Sequence, residues 1–346
     1  MSFRILVTCA GGGLAPQAIQ YLRYQSRHRD VYVVAVDSDE AASGRHFAQA
    51  FAVVPSGRSP EYAASLAEVA EAHAVDLILP WSDEEALAAA RHRDWLERGS
   101  RRLACSDVGT LEVLSDKAAT YAALARAGLP VPTWRRAATL PELVDALDEL
   151  LASGFEVVVK PTVSRGGRDV SVVRADVRGV QASNGGRDMH MDAQTFRREH
   201  LTRYASLLPV IVSERLYDPT FDLDLLACRG QLLRAVARRR LNPAVPNAGH
   251  IIEGRADLYA LAPRIASVFD LTWLYDSDLM LDRNGCPRIV EINPRPSGSA
   301  AVAVAAGVPL LDDVISLALN ETLPEVDIPY GRTVAPYAAL AAIASA

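Results

Sequence analysis

The chain has 346 residues, half of them hydrophobic and 23% charged, with a formal net charge of −6. That length accommodates two or three domains with real cores, and the composition is that of a globular protein rather than a disordered or fibrous one. The acid excess excludes a broad basic field for nucleic acid, and no apolar run reaches the length of a bilayer span.

The N-terminus, Met1–Val7, enters a strand pattern directly and lacks a secretory-signal pattern, so a cytoplasmic protein is expected. Arg4–Cys9 reads as a short apolar strand, followed by a turn at Gly11-Gly12-Gly13 and a helix from about Pro16 to Arg27. Val31–Asp37 is a near-continuous apolar run, as expected of a parallel strand covered on both faces. Further strands are expected at Ala50–Val54, Asp76–Pro80 and Arg102–Cys105, with a helix at Pro60–His73. Residues 1–115 are therefore read as a doubly wound α/β unit. Gly11 and Gly13 fit two positions of a dinucleotide fingerprint, but Pro16 occupies the third, where a side chain obstructs helix–strand contact. Asp83, Glu84 and Glu85 follow a strand end; they serve either a ligand there or the dipole of the next helix. Cys9, Cys105, Cys228 and Cys286 are scattered without a CxxC pair and read as free thiols.

A boundary is expected near Ser115. Asp116-Lys117 opens a helix that Gly128-Leu129-Pro130 stops. A helix over Leu140–Ala152 leads to the strand Glu156–Pro161, in which Lys160 closes the apolar run, an expensive place for an ammonium without an anionic partner. Residues 162–170 form a glycine-containing loop whose free N–H groups can close over phosphates, although no Walker sequence is present. Residues 179–200 are polar and Gly-rich and read as a mobile loop entering a helix over Ala193–Tyr204, with His190 and His200 on the surface.

Strands are expected at Val210–Leu216, Tyr217–Leu226, Leu232–Arg240 and His250–Glu253, then a helix at Asp257–Phe269. Arg238 and Arg240 share a strand face; they suit either a phosphate or carboxylate ligand or a solvated edge strand. The strands Trp273–Leu281 and Arg288–Asn293 meet through the turn Asp282-Arg283-Asn284-Gly285. Glu291 and Asn293 lie two apart and point to one face, and the hairpin brings Asp278 near them. A buried, unpaired carboxylate is costly, and a divalent cation with hard oxygen ligands resolves the conflict. Helices are expected at Ala300–Ala306 and Leu310–Asn320, and a final strand in the apolar tail Thr333–Ala346.

Five ordered motifs resemble the ATP-grasp superfamily: Asp116-Lys117, Lys160-Pro161 with its glycine loop, Glu214-x-Leu216, Asp224, and Asp278 with Glu291-Ile292-Asn293-Pro294-Arg295. The ending Asn-Pro-Arg-Pro-Ser-Gly-Ser is similar to the carbamoyl phosphate synthetase and amino-acid ligase branches. One departure is Thr220, which stands where the family has Glu. The resemblance implies a Rossmann-like pre-ATP-grasp domain over residues 1–115 and an ATP-grasp domain of two subdomains over 116–325. Within the latter, about 130–213 is a mobile lid, and 326–346 is a tail packing on the core. It implies that Lys117 and Lys160 hold nucleotide phosphates, aided by the loop at Ser164, Gly166 and Gly167. Glu214, Arg215, Leu216 and Asp224 would hold the adenosine, and Asp278, Glu291 and Asn293 a Mg²⁺ or Mn²⁺ ion. Arg295 and Arg238 would stabilise an acyl phosphate or its carboxylate precursor.

The implied activity is an ATP-dependent, ADP-forming carboxylate–amine ligase. Small carboxylate and amine substrates, amino acids foremost, are expected as partners, with a homodimer as one assembly. A carbamoyl phosphate synthetase-like carboxyl-phosphorylating enzyme and a non-catalytic ATP-binding regulator remain as alternatives.

Overall fold

The apolar runs near the N-terminus pair in parallel. In the computed structural model, which describes residues 2–28, 30–164, 169–182 and 188–337, five strands build the first sheet. They are β1 (Phe3–Val7), β2 (Val31–Asp37), β3 (Ala50–Val53), β4 (Leu77–Leu79) and β5 (Arg102–Leu103), in the order β3-β2-β1-β4-β5. The strand order reverses between β1 and β4, so the loops leaving these two strands border the crevice where open α/β sheets bind ligands. Those loops are the glycine turn and Trp81–Ser82 with the helix Asp83–Arg91, which Ser82 caps by accepting from the Glu85 N–H. Gly11 N–H donates to Asp37 Oδ2 at 2.7 Å, so the Asp at the end of β2 braces the turn.

The second sheet contains β6 (Trp134–Ala137), β7 (Val157–Pro161), β8 (Val170–Val173), β9 (Val180–Ala182), β10 (Asp188–Met191) and β11 (Val210–Glu214), ordered β6-β11-β7-β8-β10-β9. The amphipathic helix Leu140–Ala152 buries Leu143, Leu147 and Leu150 against Val157, Val159, Val210 and Val212, giving this sheet a core of its own. Two expectations fail here. The segment 179–200, read as loop, contributes β9 and β10, which pair with each other while β10 also pairs with β8. Its strand character rests on a single fully buried side chain, Met191, too short a signal for alternation to show. The helix expected over Ala193–Tyr204 is instead a short α-turn, a π-turn and a 3₁₀ stretch in succession. His190 faces Asp188, with Nε2 and Oδ2 3.0 Å apart. Gly166 and Gly167 lie outside the described residues.

The third sheet is antiparallel: β12 (Tyr217–Cys228), β13 (Gln231–Arg240), β14 (His250–Ile252), β15 (Trp273–Leu281), β16 (Pro287–Asn293) and β17 (Thr333–Val334), ordered β16-β15-β12-β13-β14-β17. The β15–β16 turn forms as expected: Asp282 Oδ1 accepts from the N–H groups of Asn284 and Cys286, and Gly285 supplies φ +77°. Of the expected terminal strand, the pair Thr333–Val334 adds to the edge at β14, and residues after 337 lie outside the described ones.

One continuous apolar cluster runs from the first sheet (Ile5, Leu6, Val33, Val34) into the third (Leu223, Leu225) and the helices packed on it, Ala256–Val268 (Ile265) and Leu310–Leu319 (Ile315). A polar clamp reinforces that junction. Tyr21 Oη donates to Asp312 at 2.6 Å, and Asp313 holds Arg27 at 3.0 Å and Arg234 at 2.5 Å. The second sheet joins the rest through a smaller apolar patch of Ala118, Tyr121 and Ile211. Among the described residues no helix is long and apolar enough to cross a membrane.

Candidate active site

Residues directly opposite in an antiparallel sheet share a face, and every second residue along a strand returns to it. The register of the third sheet runs Glu291, Asp278, Asp222, Arg238 in one row and Asn293, Asp276, Asp224, Val236 in the next. Two rows thus place five carboxylates on one face, while Phe221, Leu223, Leu225 and Leu279 on the other face are fully buried in the apolar cluster. A bulge between Asp278 and Leu279, which skips Val290, sets this register.

Pairing within the face is specific. Arg238 is fully enclosed and grips Asp224 bidentately, at 2.6 Å and 2.8 Å, while donating to Ser299 Oγ at 2.7 Å. Arg240 grips Asp222 at 2.6 Å and 2.9 Å and lies 3.0 Å from Asp278 Oδ1. His250 Nε2 sits 2.8 Å from Asp222 Oδ2, so both oxygens of Asp222 are engaged. Asn293 Nδ2 donates to Asp276 Oδ2 at 3.0 Å and its Oδ1 accepts from Arg295 at 3.3 Å, so a carboxylate and a guanidinium fix the amide orientation together.

The lysines arrive from the side. Asp116 caps the helix Lys117–Arg126 by accepting from the N–H groups of Ala118 and Ala119. That cap turns Lys117 toward the sheet, where Nζ lies 3.1 Å from Glu291 and donates to the Ser164 carbonyl at 2.5 Å. Lys160 is 9% exposed, with Nζ donating to Tyr121 Oη at 3.3 Å. Tyr121 Oη in turn donates to the Val290 carbonyl at 2.8 Å. From the first sheet, Asp83 lies 2.9 Å from Arg295 Nε, and Trp81 Nε1 donates to the Ser297 carbonyl at 2.9 Å.

Burial dominates the electrostatics. It pushes Asp276 well above the usual carboxylate range, reinforced by Asp278, Asp222 and Asp224. It lifts Asp278 to about 6, against the pull of Arg240. For Glu291 burial is outweighed by Lys117 and Lys160, which hold the carboxyl below its ordinary value. Burial lowers Lys160, with Glu291 and Asp278 only partly restoring it. For Asp222 the hydrogen bond from His250 and the Arg240 charge outweigh burial, so it stays a carboxylate.

The structure brings Lys117, Lys160, Ser164, Asp278, Glu291, Asn293 and Arg295 together, and it corrects three expectations. Arg238 and Asp224, expected at substrate and nucleotide, satisfy each other in the protein interior. Arg215 spends its guanidinium and its N–H on Glu156, at 2.5 Å and 2.7 Å. Glu214 Oε1 accepts from the Thr133 N–H at 2.7 Å, tying β11 to the entrance of β6, and Leu216 is buried beside it. Thr220, where the family has Glu, is buried and donates to Asp218 at 3.1 Å. Sequence reasoning missed Asp222, Asp276 and Arg240 as a connected set. The signal was present, since Asp276 precedes Asp278 by two and Asp222 precedes Asp224 by two.

Residues 206–340 match the model of the family "ATP-grasp in the biosynthetic pathway with Ter operon", and residues 5–99 match the "PylC-like, N-terminal domain". Residues 206–340 thus belong to an ATP-grasp family, and the chain has the ATP-grasp fold with a PylC-like domain before it. No curated protein matches its sequence. Solved structures share the fold at low identity. N5-carboxyaminoimidazole synthetase from Staphylococcus aureus complexed with ADP is 14% identical with a TM-score of 0.69, covering 94% of this chain and 79% of that one. The biotin carboxylase domain of Hydrogenobacter thermophilus 2-oxoglutarate carboxylase, in complex with MgADP, ADP and bicarbonate, is 15% identical with a TM-score of 0.71, covering 96% and 72%. L-amino acid ligase from Bacillus licheniformis is 15% identical with a TM-score of 0.62, covering 92% and 74%.

This ATP-grasp face fits a divalent cation on its own chemistry. Asp278, Glu291 and Asn293 offer hard oxygen donors on adjacent paired strands, and Asp278 Oδ1 is buried without an aligned hydrogen bond. Lys117 stands at Glu291 as a built-in counter-cation.

Proposed function

We propose that the protein is an ATP-dependent carboxylate–amine ligase that forms an amide through an acyl phosphate and releases ADP and phosphate. The observation that carries this reading is the convergence of two lysines, an Asp–Glu–Asn set and Arg295 at one sheet face. Its support from similar proteins is the ATP-grasp family match, ADP and MgADP in two structures of the same fold, and an amino-acid ligase among them.

In this reading Lys117 and Lys160 grip the phosphates of ATP, and Glu214 and Leu216 border the adenosine. Asp278, Glu291 and Asn293 would hold Mg²⁺, which supplies charge neutralisation along the phosphates. Arg295, anchored by Asp83, faces the substrate carboxylate and retains its charge, because Asp83 and Asp276 outweigh burial. The carboxylate oxygen attacks the γ-phosphorus, the bond to ADP breaks, and the amine then displaces phosphate from the acyl carbon. Buried positive charge around the transferring group is the main contribution of the protein.

The test is a phosphate-release screen over pairs of organic acids and amines, amino acids first. The reading expects release that requires Mg²⁺ and both partners, with ADP as product. Release with bicarbonate and no organic acid would transfer the site to the carboxyl-phosphorylating alternative. Nucleotide binding with no release for any pair favours the regulator.

A further inference from the structure

We infer that Arg240 is a further catalytic residue, whose guanidinium meets the terminal phosphoryl group of ATP as it is transferred; this rests on the ATP site of the reading above. Three consecutive arginines end β13, and the structure separates them. Arg238 is enclosed, its guanidinium occupied by Asp224 and Ser299. Arg239 points to the opposite face of the strand and lies 3.2 Å from Glu253. Arg240 returns to the carboxylate face, and its side chain is 10% exposed where that of Arg238 is 0%. Only Arg240 therefore has both the face and the access to touch a ligand.

One carboxylate orients this guanidinium and a second places it. Nε and Nη2 donate to Asp222 at 2.9 Å and 2.6 Å, and His250 on β14 holds the same carboxylate at 2.8 Å. Arg240 Nη2 also lies 3.0 Å from Asp278 Oδ1, while Nη1 makes no hydrogen bond among the described residues. Asp278 holds the cation in the reading above, and oxygens that share a small octahedral cation lie about 3 Å apart. A phosphate oxygen on that cation thus comes within reach of Arg240, whose planar fork suits it. The strand order says which phosphate. Lys160 on β7 pairs with Ile211 on β11, and β11 ends at Glu214, which borders the adenosine in that reading. Lys117 stands at Glu291 on β16, the edge strand. Arg240 on β13 approaches Asp278 from the other side, across β12. The lysines thus lie toward the adenosine, and Arg240 lies at the far end of the phosphate chain.

The test is calorimetry on the full chain at fixed Mg²⁺, with ADP and β,γ-imido-ATP as the two probes. Arg240→Met keeps an unbranched stem and removes the guanidinium. It is expected to lower the ratio of the two affinities, analogue over ADP, by about tenfold or more, with ADP itself within about threefold of wild type. Arg240→Lys keeps a charge that Asp222 can hold but loses the fork, and a fall of about threefold or more in the same ratio is expected. If Arg240→Met does not fold, Arg240→Lys decides. An arginine with a purely structural role would move both nucleotides together. Equal losses for the two, unchanged affinity for both, or a ratio that recovers at higher Mg²⁺ overturns the proposal. Wild type that binds neither nucleotide removes the ATP site, and this inference with it. Nucleotide binding without phosphate release for any acid–amine pair removes the ligase reading alone, and the affinity ratio still decides for Arg240.

Discussion

Lys117 Nζ stands 3.1 Å from Glu291 Oε2 while donating to the backbone carbonyl of Ser164. One ammonium thus links the sheet that carries the carboxylates to the segment that follows β7. Two lysines, Lys117 and Lys160, and the Arg295 guanidinium balance the charge of Glu291.

Glu291→Gln keeps the shape of the side chain and removes that charge. Lys117 retains Ser164, and the β15–β16 register does not depend on the carboxylate, so the thermal midpoint is expected to stay near wild type. Turnover should fall by more than the roughly 10–100-fold that loss of an outer-shell partner costs a metal site. Activity like that of wild type at ordinary Mg²⁺, measured as ADP release, would remove Glu291 from the proposed ligand set.

Tyr121 couples two elements that the nucleotide must engage together. Its hydroxyl accepts from Lys160 on β7 and donates to the carbonyl next to Glu291 on β16. Tyr121→Phe should cost about 1–3 kcal/mol of stability, because it leaves a buried carbonyl and an ammonium proton without partners. It should also raise the KM for ATP more than it lowers kcat, since Lys160 loses orientation rather than charge. Steady-state kinetics beside a denaturant melt separates the two effects, and a stability loss with unchanged KM would leave Tyr121 a purely structural role.

The pair of Arg238 and Asp224 makes a prediction of the opposite kind. Both are fully buried. Asp224→Ala strands a guanidinium in the interior and should destabilise by about 3–5 kcal/mol, whereas the double change Asp224→Leu with Arg238→Met should recover much of that loss. Denaturant midpoints of the single and double variants decide. A stable single variant lacking only activity would restore the original expectation that these residues face ligand.

That pair also marks the limit of what the sequence conveys. Charge within apolar strands signalled Asp278 and Glu291, the family resemblance pointed to Asp224, and a period of two put Glu291 with Asn293 and Arg238 with Arg240 on shared faces. Whether each charge meets a ligand or another side chain depends on register between strands that are distant in sequence, and on a bulge at Val290 that alternation does not encode. The doubly wound start was legible because parallel strands buried on both faces are unbroken apolar runs. Arg240 is ambiguous in sequence for the same reason as Arg238, its partner Asp222 shows only through the register, and β9 and β10 are too short and polar to show a period.

The second sheet has its own core and meets the rest at Ala118, Tyr121 and Ile211. A thin apolar junction of this kind suits a hinged lid. Hydrogen exchange is expected to slow at β7 and β8 when Mg²⁺ and a non-hydrolysable ATP analogue are added, with little change at β1 and β2. Identical exchange in both states would argue against a lid that closes on nucleotide.

The last prediction concerns the bond that breaks. If a carboxylate attacks the γ-phosphorus, one of its oxygens stays with phosphorus after the amine has displaced phosphate from the acyl carbon. An adenylation route instead breaks the bond between the α- and β-phosphates and yields AMP and pyrophosphate. The site favours the first course, because Lys117 and Lys160 converge with Glu291 and Asp278 beside Arg295. With an acid identified by the screen and supplied with ¹⁸O in its carboxylate, ADP and ¹⁸O-containing phosphate are the expected products, read by mass spectrometry. Unlabelled phosphate together with amide formation, or AMP as the nucleotide product, would exclude the acyl phosphate and reassign Arg295 to binding alone.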